Sequence, residues 1–200
     1  MATTSKTGGT SWIELVFKYV EEHKYYTDMT TEGFENFDDG ARIKEGPVTP
    51  EDVLETNLSL YNSGYAYRIG RNVEPETPGD LVLKNVYTPD DVRNISAEII
   101  ENFPKEEPLT VQSALWVRAF AGLHFFYDAN HRTGIATLRA MMDESGVVEC
   151  FEPFKNFEPR TIAALDASKE DRRWITRDKI YERDALYEVW RSYFEDVLVQ

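Results

Sequence analysis

The sequence predicts an all-α fold that carries one small β-hairpin. Apolar residues recur at helical spacing along most of the chain, beginning with Trp12, Leu15, Val16, Tyr19 and Val20. Helix-start chemistry recurs at Thr49-Pro50-Glu51-Asp52, Thr88-Pro89-Asp90-Asp91 and Thr110. Alternating apolar residues are confined to one stretch, between Gly64 and Tyr87.

Taken in order, residues 1–10 are small and polar and are expected to be a disordered tail, with a single domain over 11–200. A helix is expected over Trp12 to Tyr25, followed by a polar, glycine-bearing loop from Thr27 to Gly46. The Thr49 start predicts a helix to about Asn62. Tyr65, Tyr67 and Ile69 alternate, as do Leu81 and Leu83, and Pro75, Pro78 and Gly79 punctuate them. That pattern predicts a hairpin. Thr88 opens a helix ending near Phe103-Pro104. From Val111 to Phe126 the chain is apolar on nearly all sides apart from Gln112, Ser113, Arg118 and His124, so this helix should run through the middle of the protein. Asn130 is expected to cap a helix that reaches Ser145, with Gly146 as its stop. Pro153 and Pro159 mark a connection, and Lys169 to Arg173 reads as a solvated turn. A final helix is expected from Asp178 to Leu198 with Ile180, Leu186, Val189, Trp190, Tyr193, Phe194 and Val197 on one face; that face is core or a homodimer surface.

Composition narrows the function. Hydrophobic content of 42% and aromatic content of 13% suit a globular chain. The 36 acidic against 22 basic residues give a net charge of −14, which disfavours nucleic acid and anionic membranes as partners. High acidity with few lysines also suits a halophilic surface. No apolar run approaches the ~18 residues a membrane span needs. No secretory pattern opens the chain. Cys150 is the single cysteine, so an internal disulfide is impossible. A cytoplasmic protein is the simplest expectation.

The chemically informative stretch runs from His124 to Gly134, His-Phe-Phe-Tyr-Asp-Ala-Asn-His-Arg-Thr-Gly. His124 ends the buried helix and can exchange a proton near neutral pH. Phe126 can anchor the loop. Asp128 supplies a hard oxygen ligand suited to magnesium. Ala129 keeps the turn narrow. The helix that begins at Asn130 turns its first N–H groups into the loop, where they can bind an anion. His131 and Arg132 add side-chain donors there. Phosphoryl-type transfer needs a base, a metal carboxylate and a phosphate cradle, and little else.

On His124, Phe126, Asp128, Ala129, Asn130 and Arg132 the stretch resembles the Fic/Doc family motif: His, any residue, Phe, any residue, Asp or Glu, Gly or Ala, Asn, Gly or Lys, Arg. Asp-Ala-Asn and Thr133 are most similar to its death-on-curing (Doc) branch. The resemblance implies a helical core with a β-hairpin flap that docks a target peptide. It implies a cytoplasmic transferase that moves a phosphoryl or nucleotidyl (AMP) group from ATP or another nucleoside triphosphate to a Ser, Thr or Tyr hydroxyl of a protein. In that scheme His124 is the general base and Asp128 holds Mg2+. Asn130, His131, Arg132 and Thr133 bind the nucleotide phosphates. An antitoxin partner is a further implication of the branch.

His131 stands where adenylylating members have Gly and Doc-like members have Lys. Ile135 replaces the second arginine of the adenylylating members. Both departures lean toward Doc-like phosphotransfer. They also motivate an alternative, a degenerate scaffold that binds nucleotide or a partner without turnover. Arg139, two turns beyond Arg132, reads as a structural or surface residue. Thr31 to Asn36 fits the inhibitory pattern of Fic proteins (Ser or Thr, three residues, Glu, Gly or Asn), which makes Glu35 the candidate inhibitory residue.

Overall fold

The computed structural model describes residues 41–44, 48–62, 67–68, 71–72, 87–147, 159–171 and 175–198. The expected tail, first helix and Glu35 lie outside them, as does most of the expected hairpin region. The described chain is mostly helical: α1 Pro50–Asn62, α2 Pro89–Glu101, α3 Leu109–Leu123, α4 Asn130–Glu144, α5 Pro159–Glu170 and α6 Ala185–Leu198, with a 3-10 turn at Arg177–Lys179. Tyr67–Arg68 (β1) pairs antiparallel with Arg71–Asn72 (β2), Tyr67 opposite Asn72. Among the described residues no helix is long and apolar enough to cross a membrane.

Local chemistry sets the helix ends. At Thr49 and Thr88 the threonine hydroxyl accepts from the N–H of the acid three residues on (3.2 Å in both), and that acid accepts from the threonine N–H at 2.7 and 2.8 Å. These are reciprocal capping boxes, and they begin α1 and α2 where the sequence places them. Gly146, at φ 73, ends α4; Val147 N–H returns to Met142 O at 2.9 Å.

Other boundaries differ from expectation. Helix α3 begins at Leu109 behind Pro108, with Thr110 inside it, and stops at Leu123 because His124 turns left-handed. Ala129, not Asn130, is the cap residue of α4. Pro159, expected in a connection, opens α5, where a proline loses nothing because a first-turn N–H has no helical acceptor. The final helix starts at Ala185, since Asp184 interrupts the apolar face: its Oδ1 accepts from Tyr187 N–H at 3.0 Å.

Helix α3 is the hub, packed against α4 and α6, while α1 lies on α4 and α2, and α5 on α6. Trp116, Phe120, Phe125, Phe126, Trp190 and Phe194 have no exposure. Each such side chain contributes about 1.5–3 kcal/mol by leaving water. Phe103 meets Trp116 edge-on at 5.6 Å. Gly134 lets α4 approach α3, since a Cβ there would lie 3.1 Å from the Phe120 side chain. Trp116 Nε1 uses that closeness to donate to Gly134 O at 2.9 Å.

One charge sits inside this core. Arg118 has no exposure. Its Nε and Nη2 donate to Asp184 at 2.9 and 2.7 Å, and its Nη1 donates to Lys179 O and Ile180 O, both at 2.7 Å. The fork thus ties α3 to the turn before α6. Burial pushes the Asp184 carboxyl up, but hydrogen bonds from Arg118 and Tyr187 N–H, with the Arg118 charge, hold it below its ordinary 3.8.

Asp184→Ala leaves a buried guanidinium without its counter-charge, and is expected to cost about 3 kcal/mol in urea unfolding. The pH dependence has a fixed sign. A depressed carboxyl contributes fully above its unfolded value, and the contribution disappears as pH falls through the folded one. Unfolding free energy of the native chain should therefore decline from pH 3.8 downward, and Asp184→Asn should lack that part of the decline.

Candidate active site

The loop from His124 to Ala129 joins the two central helices and is held at both ends by left-handed residues. His124 (φ 46, ψ 50) and Ala129 (φ 64, ψ 14) are the non-glycine residues with positive φ among the described residues. Each such conformation costs about 1–2 kcal/mol for an L-residue. It persists because surrounding contacts over-determine it, a pattern that concentrates at functional sites.

Those contacts are specific. His124 N–H donates to Phe120 O at 3.0 Å, the last bond of α3. Phe125 and Phe126 are fully buried, with ring centroids 4.6 Å apart. They pull the chain into the core, while Tyr127 between them and Asp128 is 55% exposed. Asn130 closes the loop from the other side. Its Oδ1 accepts from Phe126 N–H at 2.9 Å, and its Nδ2 donates to Phe126 O at 2.8 Å. Both ends of the amide are therefore used within the loop, and Asn130 is buried. The expected side-chain cap at Asn130 is replaced by this clamp. Its side chain organises the loop, and its N–H lies in the first turn of α4.

Asp128 and Arg132 meet across one turn. Asp128 Oδ1 accepts from Ala129 N–H at 2.7 Å, and its Oδ2 lies 3.5 Å from Arg132 Nη2, with both side chains part-exposed. An i,i+4 pair of this kind contributes only about 0.3–0.5 kcal/mol. Thr133 is fully buried; its N–H donates to Ala129 O at 2.8 Å.

His131 turns toward the C-terminal helices. Its Nε2 lies 2.9 Å from the buried Ser168 Oγ of α5, and its ring centroid is 5.8 Å from that of Trp190 in α6. Trp190 Nε1 donates to the same Ser168 oxygen at 3.2 Å. The imidazole thus spans from the start of α4 to the α5–α6 pair. Arg139 is mostly buried and pairs with Asp143 at 3.3 Å, toward the far end of α4, which agrees with a structural role.

Two contacts were missed in the sequence. Asn57 of α1 is buried, and its Nδ2 donates to Asp128 O at 3.1 Å and to Thr133 Oγ1 at 2.9 Å. The available signal was a polar residue in an apolar stripe, since Val53, Asn57 and Leu60 share one helical face. Ser168 carried no such signal, being one small polar residue in a charged stretch.

The arrangement gives a partly buried imidazole, one carboxylate, one guanidinium and a helix start along a single short loop. Among the described residues no group of three or more His, Cys, Asp or Glu is placed to hold a metal ion. A lone carboxylate at Asp128 suits magnesium whose remaining ligands are phosphate oxygens and water, and does not suit a protein-caged metal. No protein-family model matches the chain, and no curated protein or solved structure matches it.

Asn130→Ala strips Phe126 N–H and C=O of their partners in the core. It is expected to lower stability by about 2 kcal/mol in urea unfolding. Ala129→Gly removes left-handed strain, at the loss of a contact with Leu60. Its expected effect is a melting temperature equal to or above that of the native chain.

Proposed function

We propose that the chain transfers a phosphate-bearing group from a nucleoside triphosphate to a Ser, Thr or Tyr hydroxyl of a protein, in the manner of the Fic/Doc family it resembles. The observation that supports this most is the left-handed backbone at both ends of the His124–Ala129 loop, a stretch in which a histidine, a carboxylate and the start of α4 follow within seven residues of chain. His124 accepts the proton of the attacking hydroxyl as its oxygen bonds to the γ phosphorus and the nucleoside diphosphate leaves. Asp128 is the magnesium carboxylate, and Mg2+ when bound with ATP neutralises phosphate charge. Arg132 and the first-turn N–H groups of α4 receive the phosphates. Catalysis of this kind is positioning plus charge stabilisation.

Phosphate transfer is preferred over AMP transfer, as in the Doc branch, because His131 and Ile135 stand where the adenylylating pattern has Gly and Arg. In this reading the β1–β2 ladder belongs to a flap that pairs with the target segment, the protein works in the cytoplasm, and an antitoxin restrains it. A second reading, a scaffold that binds nucleotide or a partner without turnover, draws on the commitment of the Asn130 and His131 side chains to protein contacts.

The test uses purified protein, magnesium and cell lysate with ATP labelled at either the α or the γ phosphorus. A protein band should retain the γ label and not the α label. His124→Asn is the informative variant, because asparagine tolerates the left-handed backbone. Its melting temperature should match the native chain while labelling falls at least about a hundredfold, the low end of general-base contributions. Equal labelling by the variant would overturn the role of His124. Tight ATP binding with no label from either position would favour the scaffold.

A further inference from the structure

We infer that Asn57 is a positioning residue of this site, acting through the Asp128–Thr133 segment. Its place in the site was visible only after folding: its two partners lie 71 and 76 residues further along the chain. Asn57 is 2% exposed, and its single amino group spends both hydrogens on them, at 3.1 Å to Asp128 O and 2.9 Å to Thr133 Oγ1. The direction of the amide is dictated chemically. A backbone carbonyl can only accept, so nitrogen must face Asp128.

The two acceptors bracket Ala129. Thr133 N–H in turn donates to Ala129 O at 2.8 Å, so Asn57, Asp128, Ala129 and Thr133 form a closed ring of contacts around the left-handed residue. Leu60, almost one turn on along α1, packs on Ala129 and Ala136. Fixing Asp128 O fixes the peptide plane between Asp128 and Ala129. That plane sets where the Asp128 carboxylate leaves the chain and where the first turn of α4 points. The two hydrogen bonds of Asn57 go to neither the carboxylate nor the guanidinium; they hold the segment from which both project. Groups that orient a ligand-bearing residue from behind typically change affinity by about 10–100-fold when removed. The attachment of α1 itself does not depend on Asn57, because Val53, Leu54 and Leu60 bury its apolar face.

The inference rests on the proposed function only in its nucleotide arm, and the experiment has two. Asn57→Leu keeps the volume and removes both donors. Asn57→Asp also sets a carboxylate oxygen against the Asp128 carbonyl. Hydrogen–deuterium exchange should speed at least about tenfold over 128–134 in both variants, more in Asn57→Asp, with α6 unchanged. The Kd for magnesium–ATP, measured by calorimetry, should rise at least about tenfold. Val53→Ala is the control: it loosens the same helix through a cavity. It should speed exchange along α1 without singling out 128–134, and leave the magnesium–ATP Kd within about twofold. Unchanged exchange over 128–134 in both Asn57 variants, or an increase no greater than in Val53→Ala, overturns the inference. If the native chain binds no magnesium–ATP, the proposed function fails, and the exchange arm still decides the role of Asn57.

Discussion

Arg118 carries a permanent charge at a point with no exposure to water, and much of the helical arrangement follows from making that tolerable. An ion in that position costs several kcal/mol unless its hydrogens are used and its charge is balanced. Lys179, at the end of the Arg177–Lys179 turn, and Ile180 supply two carbonyls, and Asp184 supplies both carboxylate oxygens. Asp184 then caps α6, so the same carboxylate that neutralises α3 fixes where the last helix begins. From α6, Trp190 reaches Ser168 of α5, and Ser168 meets His131 at the start of α4. Helix α6 therefore carries two sets of polar contacts, one to the buried guanidinium and one, through Ser168, to His131.

The site itself is a short loop under strain. Two left-handed residues cost energy locally, and the surrounding core supplies what holds them: two buried phenylalanines, the Asn130 clamp on Phe126, and the Asn57 bridge from α1. The polar groups nearest the loop divide into those that hold and those that face outward. Asn57 and Asn130 hold. Asp128 and Arg132 are part-exposed and form a pair one turn apart.

Much of this was legible from neighbouring residues. The helix starts at Thr49 and Thr88, the Gly146 stop and the nearly all-apolar α3 depend on residues within four or five positions of one another, and local pattern reads such features well. Boundaries set by distant partners were not legible. The cap that Asp184 places on Tyr187 N–H is local, but its pairing with Arg118, 66 residues away, had no signal in the neighbouring chain. Asn130 carried a cap signal, yet its amide turned back to Phe126 and the cap position fell to Ala129. Pro159 was ambiguous because proline both breaks connections and opens helices.

The sequence by itself determined the helical character of the chain, the central buried helix and the compact set of reactive side chains after it, since helical periodicity, capping and a contiguous motif are short-range properties. Only the tertiary structure decided which of those side chains are spent on the fold. Asn130 and His131 looked equivalent to Arg132 as ligands in the linear chain. The turn of its own loop set Phe126 against one, packing placed Ser168 with Trp190 behind the other, and Asn57 came in from a different helix. A buried amide must satisfy its hydrogen bonds wherever the chain leaves it, and where that is depends on contacts between segments far apart in sequence.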